Sequence, residues 1–214
     1  MQKQKKDLKR MVQIALLASI MLVMSVTPLG YIPLPFMKAT IMHVPVIIAA
    51  CLLGPKVGAG LGALFGFTSI VVNTISPSIT SFVFTPFYSI NEQFHGSLWS
   101  IVVAMLPRIL MGVISGYVFI LLKKLVKNDT VSLMVAGITG AMVNTIGVMS
   151  LVYIFFGEQY ALAGGKDPQL ILGVILGVIG TNGVAEAIIA AVLTTAVCKA
   201  LFSVFNNKCS CVKS

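Results

Sequence analysis

Long apolar runs, separated by short polar or Pro/Gly-rich joints, dominate the chain. Six apolar spans can be traced, at residues 7–28, 41–53, 57–75, 100–126, 131–156 and 169–205. A bilayer core of about 30 Å requires about 20 helical residues, and every span except 41–53 is long enough to cross it. The span 41–53 contains Pro45, so we expect either a broken helix or a helix that begins inside the preceding loop. The pattern predicts an all-α integral membrane domain, formed by residues 1–214 as one bundle of six transmembrane helices.

Glycines recur at intervals of four residues on three of these spans. Such spacing allows helix backbones to approach closely in a membrane, because no side chain separates them. We therefore expect the helices to pack into a compact bundle through these glycines. They are Gly58, Gly62 and Gly66 on the third span, Gly112 and Gly116 on the fourth, and Gly173 and Gly177 on the sixth.

The composition supports the membrane assignment and excludes a soluble domain. Hydrophobic residues make up 57% of the chain and charged residues only 10%, whereas a soluble globular protein carries about a quarter charged residues. The net charge of +9 arises from Lys and Arg clusters between the apolar spans. No basic stripe with interleaved aromatic residues is present, so the sequence does not indicate nucleic acid as a partner.

The Lys and Arg residues also predict the orientation in the lipid bilayer. We place the N-terminus in the cytoplasm and let the six spans alternate. Every Lys and Arg except Lys38, Lys166 and Arg108 then falls in a cytoplasmic segment or at the cytoplasmic end of a span. An excess of positive charge on the cytoplasmic side is the usual signature of membrane topology. Both termini are therefore predicted to be cytoplasmic.

The loops predicted on the outer side are longer than the inner joints. They are loop 1 (residues 29–40), loop 3 (residues 76–99) and loop 5 (residues 157–168). Long loops on one face of a bundle indicate a lid over an outward-facing pocket. An aromatic belt at the membrane interface is an equally good interpretation for Trp99 alone. The aromatic residues concerned are Phe82, Phe84, Phe87, Tyr88, Phe94 and Trp99 in loop 3, and Tyr160 in loop 5.

The motifs of common catalytic sites are absent from the sequence. There is no G-x-x-x-x-G-K-[ST] loop for ATP hydrolysis and no G-x-S-x-G elbow. The two histidines, His43 and His95, form no H-E-x-x-H pattern, and Glu186 is the one carboxylate deep in a span. The sequence therefore predicts neither an enzyme nor a metal or other cofactor.

Four polar residues fall at membrane depth: Arg108, Asn144, Asn182 and Glu186. Ionisable groups inside a bilayer are costly and usually mark a binding site or a pathway. Asn182 and Glu186 are four residues apart and share one helix face, and the rise of a helix places all four in the outer half of the bundle. The alternative is a structural ion pair between Arg108 and Glu186, with the asparagines in interhelical hydrogen bonds. His43 is a fifth candidate near the outer mouth, although a lone histidine is more often structural.

The sequence resembles a known family, the S components of energy-coupling factor (ECF) vitamin transporters. The residues that carry the resemblance are Ala39–Ile48, Leu53–Ala59, Pro107–Arg108 and Thr181–Ala187, of which the last two are most similar to the pantothenate-type branch. The resemblance implies a subunit of the bacterial plasma membrane that captures a vitamin from outside. It also implies that a separate transmembrane coupling subunit and two ATP-binding subunits supply the energy.

The resemblance further implies a docking face on the first helix. S components carry an A-x-x-x-A pattern there, and this chain has Ala15-x-x-x-Ser19 with Ala18 beside it. Serine also permits close helix approach, so these three residues are the predicted contact with the coupling subunit.

For a pantothenate site, Arg108 is expected to pair with the carboxylate, because a planar guanidinium can make two parallel hydrogen bonds to it. Asn144 and Asn182 can each donate and accept, which suits hydroxyls and an amide. Glu186 is expected either to orient Arg108 or to accept from a substrate hydroxyl.

Two alternatives remain open at this stage. The vitamin could be a different water-soluble one, or the chain could be a stand-alone secondary transporter with Glu186 as its proton carrier. The small size of the chain and the lack of a detectable inverted repeat argue against the second alternative.

Overall fold

The computed structural model describes residues 2–27, 30–33, 38–91, 94–126, 128–165 and 167–205. The fold is all-α apart from two small hairpins. The helices are α1 (Gln2–Val26), α2 (His43–Leu53), α3 (Pro55–Ile75), α4 (Leu98–Leu125), α5 (Asp129–Ala163), α6 (Ile171–Val178) and α7 (Val184–Phe205). A π-helical turn, Ile179–Gly183, joins α6 to α7. The hairpins pair β1 (Tyr31–Pro33) with β2 (Lys38–Thr40), and β3 (Ser89–Asn91) with β4 (Phe94–His95).

In the part of the chain that the structure describes, five helical segments are long and apolar enough to cross a membrane, which confirms the membrane character of the fold. Helix α2 is apolar but shorter. The candidate spans are Asp7–Val26, Pro55–Ile75, Leu98–Leu125, Asp129–Ala163 and Ile171–Ser203, the last of which includes the π turn. The orientation of the termini in the bilayer stays a prediction. The predictions for Lys166 and for the tail beyond residue 205 lie outside the described residues.

Helix α2 is the short span that contains Pro45. It is unbroken, because Pro45 lies in its first turn, where the missing N–H removes no helical hydrogen bond. Nearly all its side chains are buried, including His43, Val46 and Ile47. A helix that is apolar on all sides is stable only when it is surrounded, and α2 packs between α3, α4, α5 and α7.

Helices α3 and α4 cross with their backbones in contact. A Cβ atom at Gly58 would lie 2.6 Å from the carbonyl oxygen of Gly112, and a Cβ atom at Gly62 would collide with the carbonyl oxygen of Arg108. The glycine repeat therefore predicted this contact correctly. The same prediction was wrong for Gly173 and Gly177 on α6, where added Cβ atoms would meet nothing within 4 Å. These two glycines face away from the bundle, because spacing alone does not say which face of a helix is covered.

Helix α5 extends beyond its predicted end. The backbone leaves helical geometry at Phe156 (φ −134°, ψ 15°) and then continues as helix to Ala163. Tyr160, predicted to lie in loop 5, is therefore helical and only 5% exposed. The prediction of loop 5 at residues 157–168 was wrong over most of its length, because the extra helical turns bury Tyr160 and Ala161.

The aromatic residues of loop 3 divide into buried and exposed groups. Phe82 is fully buried and packs against Phe94 and Phe156, at ring-centroid distances of 6.0 and 6.1 Å. Phe87 is exposed, and Trp99 is half exposed and stacks on Phe155 with 4.3 Å between ring centroids. The inner rings thus form part of a second hydrophobic core at this end of the bundle.

Hydrogen bonds fasten loop 3 to the two helices that it connects. The Ser81 hydroxyl donates to Oδ1 of Asn73 on α3 at 2.7 Å, and the hydroxyls of Thr74 and Thr85 are 2.7 Å apart. The hydroxyl of Ser100, in the first turn of α4, donates to the carbonyl oxygen of Phe82 at 2.7 Å. Loop 3 is therefore built into the fold at both of its ends.

Helix α4 begins earlier than predicted because its N-terminus is capped. The Ser97 side chain accepts from the backbone N–H of Trp99, and the Ser100 side chain accepts from the backbone N–H of Ser97. This reciprocal arrangement satisfies N–H groups that a helix start leaves without partners. Trp99 consequently belongs to α4.

Candidate functional site

Arg108 is buried in α4 directly after a proline. Pro107 lies inside the helix and has no N–H, so the carbonyl of Val103, four residues earlier, lacks its usual helical donor. Nη1 of Arg108 donates to this Val103 oxygen at 2.6 Å. The side chain therefore turns back along its own helix and satisfies a carbonyl that the proline leaves available.

Two aromatic rings flank the guanidinium of Arg108. Its Cζ atom lies 5.4 Å from the ring centroid of Phe65 on α3 and 5.2 Å from that of Phe84 in loop 3. The faces of aromatic rings attract cations, and the attraction grows where water is excluded. Arg108 is only 5% exposed, so its positive charge is buried beside these two aromatic rings.

Glu186 makes its contacts with other elements of the fold than Arg108 does. Its Oε1 accepts from the backbone N–H of Thr40, and its Oε2 accepts from the hydroxyl of Thr145, both at 3.1 Å. In the part of the chain that the structure describes, neither oxygen accepts from Arg108. The ion pair between Arg108 and Glu186 that the sequence left open is therefore not formed. Glu186 instead ties the end of the β1–β2 hairpin to α5 and α7.

His43 is packed against the same segment of α7. Nε2 of its ring lies 3.4 Å from the backbone carbonyl oxygen of Glu186, to which it donates, and the side chain is fully buried. Its Nδ1 has no hydrogen-bond partner among the described residues. This geometry favours a structural role at the start of α2, since the ring connects α2 to α7.

Asn144 presents a buried acceptor. The residue is 4% exposed, and its Oδ1 has no hydrogen-bond partner in the described part of the chain. Leaving such an oxygen unpaired in the folded protein is costly. An Asn oxygen in this state is therefore a strong candidate to accept from a substrate hydroxyl or amide.

Asn182 lies in the π-helical turn and is half-buried. Such turns are frequent at functional sites because they alter which backbone and side-chain groups face inward. A Cβ atom at Gly183 would lie 3.1 Å from Cγ2 of Thr145, so the turn packs directly on α5 next to Asn144. No pattern in the sequence predicts the π turn, which interrupts the i, i+4 relation assumed between Asn182 and Glu186.

Helix α5 links the two groups of polar residues. Gly147 packs on the ring of Pro107, with 3.1 Å between its added Cβ position and Cβ of Pro107. Thr145 contacts Gly183 and Glu186 on the α7 side. Asn144 lies within one helical turn of both Thr145 and Gly147 on α5. Helix α5 thus contacts Pro107, the neighbour of Arg108, on one side and the turn that contains Asn182 on the other.

The family of the chain follows from its match to a family model. The model described as "ECF transporter, substrate-specific component" matches residues 9–198. The chain belongs to this family. It is a family of transporter components rather than of enzymes.

Named relatives support the same assignment for this S component. It is 36% identical over 176 residues to the "Pantothenic acid transporter PanT" of Lactococcus lactis subsp. cremoris, which covers 82% of this chain and 83% of the relative. It is 31% identical over 192 residues to the "Pantothenate transporter PanT" of Leuconostoc mesenteroides subsp. mesenteroides, with 85% of each chain covered.

The predicted docking residues of the S component lie on its most peripheral spanning helix. Only 17% of the apolar window of α1 is buried, compared with at least 33% for the other candidate spans. Ala15 and Ser19 are exposed, whereas Ala18 is half-buried and packs towards the core. The Ser19 hydroxyl donates to the Ala15 carbonyl oxygen at 2.7 Å, so its polar group is satisfied within the helix and the surface stays small and smooth.

An apolar groove of about 580 Å³ between α4 and α5 is distinct from these polar residues. Its walls include Leu106, Leu110 and Ile146, which are exposed on the outside of the bundle, and it contains none of the five candidate site residues. The groove offers no charged side chain, so it does not match a charged, hydroxylated vitamin.

Proposed function

We propose that this S component captures pantothenate from outside a bacterial cell for ATP-driven import. The observation that carries the proposal is the buried guanidinium of Arg108 between two aromatic rings, together with the buried Oδ1 of Asn144, which has no hydrogen-bond partner among the described residues. Pantothenate has one carboxylate, two hydroxyls and an amide beside apolar methyl groups. A fixed cation, amide side chains and an apolar wall complement these features. The similarity to two pantothenate transporters supports this choice of vitamin.

In this proposal Arg108 binds the carboxylate, and Asn144 and Asn182 bind the hydroxyls and the amide. Glu186 and His43 form the wall of the site, because their described hydrogen bonds go to neighbouring elements of the fold. Loops 1 and 3 lie at the outer mouth, both termini face the cytoplasm, and the energy comes from a separate transmembrane coupling subunit with two ATP-binding subunits.

A binding assay on the purified chain tests the vitamin. Pantothenate at about 100 times its dissociation constant should raise the free energy of unfolding by about 2.7 kcal/mol, since a ligand selective for the folded state stabilises it. A thermal-shift series against pantothenate and other B vitamins measures this. Stabilisation by a different vitamin, with none by pantothenate, would refute the substrate assignment and favour another branch of the family.

An uptake assay tests the division of labour. Liposomes that contain this chain alone should bind labelled pantothenate without concentrating it, because the chain has no nucleotide-binding motif. The matched control is the complete complex with ATP inside. Concentrative uptake by the chain alone under a proton gradient would contradict the proposal and favour the secondary-transporter alternative.

Substitution on α1 tests the docking face. Ala15→Trp and Ser19→Trp should abolish ATP-driven uptake in the complete complex, because a bulky side chain prevents close helix approach. Vitamin binding to each isolated variant should remain within about twofold of wild type, since these residues are exposed on the surface of α1.

Ile188→Trp is a suitable control for the docking test, because Ile188 is an exposed apolar residue on α7. Uptake should survive this change. Normal assembly and uptake with Ala15→Trp would show that α1 is not the docking face.

A further inference from the structure

We propose that Pro107 and Phe84 are specificity-determining positioning residues, which hold the guanidinium of Arg108 ready for an anionic substrate. This inference rests on the proposed function, in which Arg108 binds the carboxylate. Neither residue needs to touch the substrate. Their effect is exerted on the orientation of one side chain.

The first element of this arrangement is a carbonyl oxygen that lacks its helical donor because residue 107 is a proline. In an uninterrupted helix the N–H of residue 107 would donate to the carbonyl of Val103. Proline has no N–H, and Nη1 of Arg108 takes that place at 2.6 Å. A hydrogen bond from a charged donor is stronger than one between neutral groups. Pro107 therefore fixes one edge of the guanidinium against the helix that carries it.

The second element is the pair of rings that contact the guanidinium. Phe65 is fully buried on α3, and Phe84 follows the 3₁₀ turn Ser81–Val83 in loop 3. The hydrogen bond of Ser81 to Asn73 and that of Ser100 to the Phe82 carbonyl hold this turn in place. The ring of Phe84 is thus presented to Arg108 by a part of loop 3 that is itself anchored.

The third element is the space that α5 leaves for the proline. Gly147 faces the pyrrolidine ring, and even a Cβ atom there would lie only 3.1 Å from Cβ of Pro107. Pro107 is therefore a packed residue of the α4–α5 contact. The hydrogen bond to Val103 and the rings of Phe65 and Phe84 restrict the Arg108 side chain before the substrate arrives. Less side-chain entropy is therefore lost on binding.

The decisive experiment compares two ligands on five variants of the full chain, one of which is Arg108→Ala. Pantothenate carries the carboxylate, and pantothenol carries a neutral alcohol in its place. Pro107→Ala restores a backbone N–H that competes for the Val103 carbonyl, and it should leave α4 folded because Ala is the best helix former. We expect affinity for pantothenate to fall about tenfold or more, as for loss of a hydrogen bond that involves a charge, and affinity for pantothenol to change less than about threefold.

Two further variants concern the ring of Phe84 in loop 3. Phe84→Leu removes the aromatic face and should lower affinity for pantothenate by about threefold to tenfold. Phe84→Tyr keeps the face and should restore the preference for the anion. The fourth variant, Pro45→Ala, is a control for a proline in the first turn of a helix, and it should leave the preference unchanged.

The outcomes separate this inference from the proposed function. Suppose that Arg108→Ala abolishes the preference for pantothenate over pantothenol while Pro107→Ala and Phe84→Leu leave the preference intact. The positioning roles are then wrong and the proposed site stands. Equal losses for both ligands in Pro107→Ala and Phe84→Leu would also overturn the inference, because they would indicate a general effect on packing. If Arg108→Ala itself leaves the preference intact, the proposed role of Arg108 fails first.

Discussion

Replacing Arg108 with alanine should lower the affinity of the purified chain for pantothenate by roughly 30-fold to several thousand-fold. This range corresponds to about 2–5 kcal/mol, the usual cost of removing one partner of a buried charge pair. The expected loss is large because Arg108 is buried and the carboxylate would have to enter an apolar surrounding without a counter-charge. Isothermal titration calorimetry with pantothenate and pantothenol measures both affinities on the same sample.

Two further variants sharpen this prediction. Arg108→Lys should also lose affinity for pantothenate, because an ammonium group lacks the planar fork that binds a carboxylate through two hydrogen bonds. Arg10→Ala is a matched control, since Arg10 is an exposed arginine on α1, and it should leave binding unchanged. If Arg108→Ala weakens pantothenate and pantothenol to the same extent, Arg108 is a structural residue.

The second large effect is expected at the crossing of α3 and α4. Gly112→Ala should lower the free energy of unfolding by about 1–3 kcal/mol, the usual cost of overpacking. A Cβ atom at Gly112 would collide with the carbonyl group of Gly58 and lie 2.9 Å from the backbone nitrogen of Ala59. These neighbours are backbone atoms and cannot rotate away, so the two helices must separate. Thermal unfolding of the wild-type and variant proteins in detergent measures this difference in the free energy of unfolding.

Gly60→Ala is the matched control for the crossing. Gly60 lies on α3 beside the crossing residues, but a Cβ atom there would meet nothing within 4 Å. This change should be neutral or should stabilise the helix by up to about 1 kcal/mol, because Ala is the better helix former. Equal stability of the Gly112→Ala and Gly60→Ala variants would contradict the close approach of α3 and α4.

The sequence by itself determined the membrane-spanning helices and the family. Both depend on local information. A spanning segment must satisfy its backbone hydrogen bonds within itself, so its apolar residues are contiguous in the sequence and can be read directly. The same holds for Arg108 and Asn144, which stand out because polar residues at membrane depth are rare.

The tertiary structure alone decided which residues are partners. Arg108 and Glu186 are the obvious opposite charges in the sequence. In the fold, however, Glu186 bonds to Thr40 and Thr145, and Arg108 contacts a carbonyl of its own helix and two rings. Charge indicates which groups attract each other, but the helix packing sets which of them meet. Neither Phe65 nor Thr145 had any signal of its own in the sequence, because each is an ordinary member of a helical span.

Packing likewise decided which of several similar sequence patterns are buried in the fold. Gly112 and Gly173 belong to identical four-residue repeats, yet Gly112 is covered by α3 and Gly173 is open. Tyr160 was predicted in a loop and lies in a helix, because α5 kinks at Phe156 and continues where the second core can bury it. A repeat or a run of residues fixes what a segment can form. The surfaces available around that segment fix what it contacts, and these exist only once the whole chain is packed.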